Sequence, residues 1–281
     1  MSVRPPFIAQ LQQGWNERSS LLCVGLDPDW NRLPDTYLTR ENALLAFCSD
    51  IVDATAHVVC AFKPQIAFFA ARGAEGELER LIGYIQARYP DVPVILDAKR
   101  SDIGTTARLY AAEAFERYGA DAVTVNPYLG EESIAPYLEY PGRGVIVLCR
   151  TSNADSAWLQ NYPPAAPVYL RVAEAVKGWN RQGNLMLVAG ATYSAELARI
   201  RECVGSMPLL VPGVGAQGGE LKAALECGAD SNGQGLVINV SRTVLYADSA
   251  DPAAGAAQAA TALVAQMRQL QIEMAPDRAV I

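Results

Sequence analysis

The stretch VILDAKRSDIGTTA places an acid, a base and a second acid, Asp97, Lys99 and Asp102, at the end of an apolar run. Asp97 and Lys99 are two residues apart, so on a regular strand both side chains would point to the same side. Asp102 follows, and two earlier apolar runs end in Asp27 and Lys63, which could converge on the same place from neighbouring strands. A buried ion pair contributes roughly as much to the stability of a protein as apolar residues in its place would, so stability alone is a weak reason to bury one. Charges of alternating sign at adjacent strand ends therefore indicate a working site built from fixed acids and bases.

Simpler roles are available for some of these residues. Asp102 could be the N-cap of a helix that begins near Ile103, and Asp97 with Lys99 could be a structural ion pair. A lysine could also act as a Schiff-base nucleophile. Acids on both sides of Lys63 and Lys99 would raise their pKa values, however, and make them poorer nucleophiles. We therefore favour electrostatic catalysis by these charges over a helix cap, a structural ion pair or a Schiff-base nucleophile.

A glycine-rich turn, VPGVGAQGGE, links a late apolar run to a helical pattern. Glycines at such a turn let backbone N–H groups approach an anion at a helix N-terminus. The next apolar run ends in Ser241 and Arg242, and arginine can bind phosphate through two parallel hydrogen bonds. Barrel enzymes often hold phosphate in the loops after strands seven and eight. The sequence thus predicts a phosphate site here, with a flexible turn and a surface arginine as the alternative.

Composition and charge argue against several classes of protein. The formal net charge of −7 disfavours a nucleic-acid surface. No apolar run approaches the roughly 18 residues of a membrane span, and the first residues lack the apolar core of a signal peptide. The six cysteines form no CxxC pair, and a lone histidine, His57, argues against a Ser-His-Asp triad or a His-rich metal site. We expect buried reduced thiols, a structural His57 and a cytoplasmic location.

Eight short apolar runs alternate with segments of helical spacing. Continuous apolar character without alternation is typical of parallel strands buried on both faces. The runs are 21–27, 58–63, 93–99, 122–126, 144–150, 184–190, 209–215 and 235–242, and the helical segments are 40–57, 74–89, 103–114, 131–140, 165–182, 194–204, 217–228 and 253–271. We predict a single (β/α)8 TIM barrel over residues 1–281, with 151–167 as a long loop on its working face. A doubly wound open sheet shares the alternation, and the count of eight separates the two.

The sequence LDAKRSDIGTTA resembles the D-x-K-x-x-D-I-x-x-T signature of the orotidine 5′-phosphate decarboxylase family. The resemblance covers nearly the whole chain, because six further motifs match: GLDPD, FKPQIAFF, VTVNPYLG, CRTSN, PGVGAQGG and NVSRTVLYA. The last five of these six are closer to the longer bacterial branch of the family. The resemblance implies a (β/α)8 barrel that makes UMP and CO2 from orotidine 5′-phosphate in pyrimidine biosynthesis, without a metal or cofactor.

The resemblance also implies roles for individual residues. Asp27 and Lys63 would lie at the ribose, Asp97 beside the substrate carboxylate, and Lys99 would deliver a proton to C6. In a homodimer, Asp102 would complete the partner's charged site. The other candidate substrate contacts are Ile103, Thr106, Asn126, Ser152 or the adjacent Thr151, Pro212 and Gly215, together with Gln217 and Arg242 at the phosphate.

The charged residues suit the implied reaction. Decarboxylation leaves negative charge on carbon, and a fixed ammonium group stabilises it most strongly away from bulk water. Lys99 could be both that group and the general acid, while Asp97 near the departing carboxylate would strain the ground state. Magnesium-dependent sugar-phosphate barrels share D-x-K-x-x-D but need a further acidic ligand near the second strand, which here ends in Lys63. A catalytically inactive nucleotide-binding barrel would be expected to have lost one of the four charges.

Overall fold

A computed structural model describes residues 4–214 and 218–274, in which eight strands alternate with helices. The strands are β1 Leu22–Leu26, β2 Ala61–Pro64, β3 Ile95–Arg100, β4 Ala122–Val125, β5 Gly144–Arg150, β6 Leu185–Ala189, β7 Leu209–Val211 and β8 Leu236–Val240. The helices are α1 Phe7–Glu17, α2 Asp35–Leu38, α3 Ala43–Thr55, α4 Ile66–Ala70, α5 Glu75–Arg88, α6 Gly104–Ala112, α7 Ala135–Leu138, α8 Ala157–Gln160, α9 Val168–Trp179, α10 Ser194–Val204, α11 Gly218–Gly228, α12 Arg242–Leu245 and α13 Pro252–Met274.

The strands form one parallel barrel. Hydrogen-bonded neighbours run in the order β2-β1-β8-β7-β6-β5-β4-β3, and two isolated parallel bridges, Phe62 to Val94 and Gln65 to Asp97, join β2 to β3. This order returns the last strand to the first, which an open doubly wound sheet does not do. The predicted (β/α)8 barrel is confirmed.

The strands fall where the apolar runs predicted them, but their ends differ. The predicted strand 58–63 begins too early, because β2 begins at Ala61 and ends at Pro64. The predicted strand 209–215 ends too late, because β7 ends at Val211. Residues 215–217 lie outside the described part of the chain. The predicted loop 151–167 contains a 3-10 turn and the short helix α8.

Helix α1 is an element that the alternating pattern did not predict. Phe7, Leu11 and Trp15, at steps of four, form its buried face. The Phe7 ring lies on Gly144, the first residue of β5, and Gly14 packs on Cys60, just before β2. Helix α1 therefore lies across the N-terminal ends of the strands, opposite the end where barrel active sites form.

Three further expectations concerned the burial of the cysteines, the role of His57 and membrane-spanning segments. All six cysteines are free, but two of them, Cys203 and Cys227, lie half-buried on helices where buried thiols were expected. Burial raises the pKa of the Cys60 thiol to about 12. His57 is exposed just after α3. None of the helices within residues 4–214 and 218–274 is long and apolar enough to cross a membrane.

Candidate active site

Four charged side chains meet at the C-terminal ends of the first three strands. The Asp97 carboxylate accepts hydrogen bonds from Lys63 Nζ at 2.9 Å and from Lys99 Nζ at 2.6 Å. The Asp27 carboxylate lies on the far side of Lys63, with 4.0 Å between Lys63 Nζ and Asp27 Oδ1. These residues line a cavity of about 400 Å³, a size typical of small-molecule sites. The predicted convergence of Asp27, Lys63, Asp97 and Lys99 is therefore present.

The position of Lys99 depends on a bulge rather than on regular strand alternation. Leu96 pairs with Val123 and Arg100 with Val125, so β3 takes four steps where β4 takes two. Within this bulge Lys99 has a φ of 49°, a left-handed conformation that costs a residue with a side chain about 1–2 kcal/mol. The two-residue spacing correctly predicted that Asp97 and Lys99 lie side by side. It assumed regular strand alternation, however, whereas a bulge brings the two side chains together.

Thr124 on β4 holds the bulge and the carboxylate together. Its Oγ1 accepts hydrogen bonds from the backbone N–H groups of Ala98 and Lys99, both at 3.0 Å, and donates to Asp97 Oδ1 at 2.9 Å. Thr124 is buried and lines the cavity. One hydroxyl thus fixes both the strained backbone of Lys99 and the orientation of its acidic partner.

The electrostatics keep the centre of the site ionised. Burial alone would raise the pKa of Asp97, but Lys63 and Lys99 hold it well below its usual range. Burial would likewise lower the pKa of Lys63, yet the carboxylates of Asp97 and Asp27 raise it above its ordinary value. Asp97 is therefore an anion and Lys63 a cation throughout the neutral pH range.

Lys99 and Asp27 offer groups to a ligand. The Lys99 side chain is 46% exposed, whereas those of Lys63 and Asp97 are 5% and 10% exposed. Buried Asp27 Oδ1 has no hydrogen-bond partner among the described residues, and such an atom is costly unless something bonds it. The array thus presents to the cavity the ammonium group of Lys99 and the carboxylate of Asp27, whose side chain is 20% exposed.

The opposite wall of the cavity contains Ser152 and Pro212, both of which the sequence predicted as contacts. Thr151 also lines it, but the Thr151 hydroxyl bonds Asn153 Oδ1 and Gln160. The Ser152 hydroxyl makes no hydrogen bond within the described part of the chain. Ser152 is therefore the freer of the two predicted alternatives.

Two glycines let the backbone of Ser152 approach the barrel. A Cβ on Gly190, after β6, would lie 2.9 Å from the Ser152 N, Cα and Cβ atoms. A Cβ on Gly213, which has a φ of 87°, would lie 3.0 Å from Ser152 Cβ. Any larger residue at Gly190 would displace the Ser152 backbone, because packed interiors leave no spare room.

The other predicted contacts lie away from this cavity within the single chain. Asp102, Ile103 and Thr106 occupy the β3–α6 connection and the first turn of α6, and the Asp102 carboxylate accepts a hydrogen bond from Ile103 N. Asn126 caps a short turn, accepting from Tyr128 N. Arg242 is exposed as the first residue of α12. The two remaining predictions, Gly215 and Gln217, lie outside the described residues.

Several residues at the site were not predicted as functional. Thr124 and Asn239 line the cavity from β4 and β8, and Gly190 shapes its wall. A polar residue inside an apolar run, as in AVTVN and GLVINVSR, is the signal that could have found the first two. Nothing in the local sequence marks Gly190. Within 4–214 and 218–274, no three His, Cys, Asp or Glu side chains are grouped to hold a metal ion.

Comparison with known proteins gives consistent matches over most of the chain. A model of the orotidine 5′-phosphate decarboxylase / HUMPS family matches residues 20–259. Orotidine 5′-phosphate decarboxylase of Ralstonia nicotianae is 54% identical over 93% of this chain and 99% of its own. That of Azoarcus sp. is 56% identical, covering 90% and 95%. The structure of Leishmania donovani OMP decarboxylase superposes with a TM-score of 0.81 at 38% identity, covering 95% of this chain and 99% of its own.

Proposed function

The chain belongs to the orotidine 5′-phosphate decarboxylase / HUMPS family and is a carboxy-lyase that converts orotidine 5′-phosphate to UMP and CO2; we propose that Lys99 and Asp97 carry the chemistry. One observation carries this assignment. The partly exposed ammonium group of Lys99 lies 2.6 Å from the buried carboxylate of Asp97, whose pKa Lys63 and Lys99 hold well below its usual range. This pair is fixed before substrate binds, which is what electrostatic stabilisation of a transition state requires.

The proposed reaction balances without an oxidant or reductant. The bond between C6 and the carboxylate carbon breaks, CO2 leaves, and the electron pair stays on C6. Lys99 stabilises this carbanion by charge and then donates a proton from Nζ to C6, which gives UMP. The neutral amine of Lys99 regains its proton from water. Asp97 and the buried Lys63 hold Lys99 in position, and Asp97 faces the substrate carboxylate.

We assign the remaining contacts by position. The partly exposed carboxylate of Asp27 suits a ribose hydroxyl, and the free hydroxyl of Ser152 suits the pyrimidine ring. Arg242 and the turn that includes Gly215 and Gln217 would bind the phosphate, which holds the substrate through a part that does not react. The reaction as proposed needs no metal or cofactor and belongs to pyrimidine biosynthesis. The six free cysteines favour a cytoplasmic location for it.

A substrate comparison tests this function. Purified protein treated with EDTA should convert orotidine 5′-phosphate to UMP, followed by ultraviolet absorbance, and added Mg²⁺ should leave the rate unchanged. In parallel, 3-keto-L-gulonate 6-phosphate with Mg²⁺ should give no turnover. Folded protein that turns over the sugar phosphate with Mg²⁺, and not the nucleotide, would establish the magnesium-dependent alternative. Protein that binds UMP without turning over either substrate would be an inactive nucleotide-binding barrel.

We also propose that the enzyme is a homodimer in which Asp102, with Ile103 and Thr106, completes the partner's site. In one chain these residues lie outside the charged cavity. Ile103 is 52% exposed, and Leu109, Tyr128 and Leu129 on adjoining elements are exposed large apolar side chains as well. Exposed apolar residues on neighbouring elements are typical of an interaction surface.

Mixing two inactive variants tests the shared site. Lys99→Ala and Asp102→Ala proteins should each be nearly inactive. After subunit exchange, one site of each mixed dimer is intact, so the mixture should recover about a quarter of the wild-type activity. Thr105→Ala, a neighbouring exposed change on α6, provides the control that should be active by itself. No recovery after exchange has been verified by mass spectrometry of tagged subunits would contradict a shared site.

A further inference from the structure

Among residues 4–214 and 218–274, the guanidinium group of Arg150 is the most deeply buried charge outside the catalytic array. Arg150 ends β5 and is 1% exposed. Its Nε donates to Glu196 Oε2, and its Nη1 donates to Thr151 O at 2.9 Å, to Ser156 Oγ and to Gln160 Oε1 at 3.2 Å. A buried arginine is tolerated when such partners surround it, so its surroundings indicate what it holds.

The partners of Arg150 fix both ends of the segment 151–161. At the start, Thr151 N donates to Gln160 Oε1 at 2.9 Å, and Gln160 Nε2 donates to Thr151 Oγ1 at 2.9 Å. At the end, Asn161 Nδ2 donates to Glu196 Oε1 at 2.7 Å. The planar fork of one guanidinium thus closes the segment on itself and ties it to the first turn of α10, a geometry that lysine cannot reproduce.

The segment 151–161 forms the wall that faces Lys99 across the cavity. Ser152 and Asn153 line that wall, but Arg150 does not. Gly190 N donates to Arg150 O at 2.7 Å, and Gly190 lies against the Ser152 backbone. Ser152 is therefore held by glycine contacts on the barrel side and by the arginine-closed segment on the other.

We propose that Arg150 is a positioning residue that sets where Ser152 and Asn153 meet the pyrimidine ring. The proposal rests on the function proposed above, since it assigns this wall to the ring. Arg150 touches no substrate atom and acts through the segment 151–161. Its loss should weaken recognition of the ring and leave recognition of the ribose phosphate unchanged.

Comparison of two competitive ligands separates this role from general stability. In Arg150→Lys protein, UMP should inhibit about 10- to 100-fold more weakly, since small displacements of a positioning contact have effects of this size. Ribose 5-phosphate, which has no ring, should inhibit as it does in the wild type. The kcat/KM for orotidine 5′-phosphate should fall with the UMP affinity.

Arg201→Lys is the matched control. Arg201 is also bonded on several sides, to the carbonyl oxygens of Gly205, Gly228, Met207 and Gly235, but these lie toward the N-terminal ends of β7 and β8. Its replacement should lower the melting temperature without changing the ratio of UMP to ribose 5-phosphate affinity. An unchanged ratio in Arg150→Lys, or an equal change in Arg201→Lys, would overturn the proposal.

Milder variants keep the test decisive if Arg150→Lys does not fold. Ser156→Ala and Gln160→Leu each remove one partner of Arg150, and each should weaken UMP inhibition several-fold with ribose 5-phosphate unaffected. Wild-type ratios in both would refute the positioning role. Wild-type protein that neither binds UMP nor converts orotidine 5′-phosphate would instead refute the proposed function.

Discussion

At the scale of single residues, Thr124 connects the strained backbone of Lys99 to the carboxylate of Asp97. Thr124→Val keeps the shape and removes the hydroxyl, leaving the N–H groups of Ala98 and Lys99 without their acceptor. We expect a stability loss of about 1–3 kcal/mol and a fall in kcat of about 100-fold, because Lys99 is displaced. Urea unfolding and steady-state kinetics measure the two effects. Thr124→Ser should retain most of both, and wild-type kcat in Thr124→Val would contradict this role.

The ionisation of Asp97 predicts how stability depends on pH. The pKa of Asp97 in the folded protein lies below its unfolded value of about 3.9. Its contribution is therefore complete above that unfolded pKa and is lost as the pH falls through the folded pKa. For Lys63, whose folded pKa is raised, the contribution is complete below about pH 10 and is lost as the pH rises further.

We therefore expect Asp97→Asn to unfold with a free energy about 3–5 kcal/mol below the wild type, because the buried ammonium group of Lys63 loses its counterion. This difference should be constant from about pH 5 to 9 and should shrink below about pH 4. Urea unfolding of both proteins across this range measures it. A difference that disappears by pH 6 would mean that Asp97 is not held ionised.

At the scale of elements, helix α1 stabilises the N-terminal end of the barrel by packing Phe7 on Gly144. A Cβ at residue 144 would fall on the Phe7 ring and lie 2.9 Å from Ala122 Cβ. Gly144→Ala should therefore lose about 1–3 kcal/mol through overpacking. Gly83→Ala, in α5 with open space around it, should gain about 0.5–1 kcal/mol. Thermal unfolding should give shifts of opposite sign, and equal stability of Gly144→Ala and wild type would contradict the packing.

The elements that the sequence predicted are those with a simple pattern. Continuous apolar runs such as 144–150 and 184–190 gave strands almost residue for residue, because burial on both faces leaves only apolar side chains. Helix α1 was missed although Phe7, Leu11 and Trp15 repeat at steps of four, since barrel alternation provides no place for a helix before the first strand. The bulge at Lys99 was missed because it depends on Thr124, a residue of another strand.

At the scale of the whole molecule, the count of eight runs was sufficient to predict a closed barrel, and the barrel placed the strand ends at one mouth. The convergence of Asp27, Lys63 and Asp97 follows from that geometry, and the bulge that Thr124 holds adds Lys99 to them. The place of Asp102 does not, because in one chain it lies outside the cavity. Residues that act between subunits leave no pattern within a single chain. The homodimer therefore stays a prediction from family resemblance and from exposed residues such as Ile103.

The most direct test of the account is the rate of orotidine 5′-phosphate decarboxylation by Lys99→Ala protein. Loss of the fixed ammonium group and of the proton donor should lower kcat by at least about 10³-fold, while UMP still binds and the protein stays folded. Lys222→Ala, at an exposed lysine of α11 that pairs with Glu226, should keep the wild-type rate. A kcat within a few-fold of the wild type in Lys99→Ala would contradict the central role of Lys99.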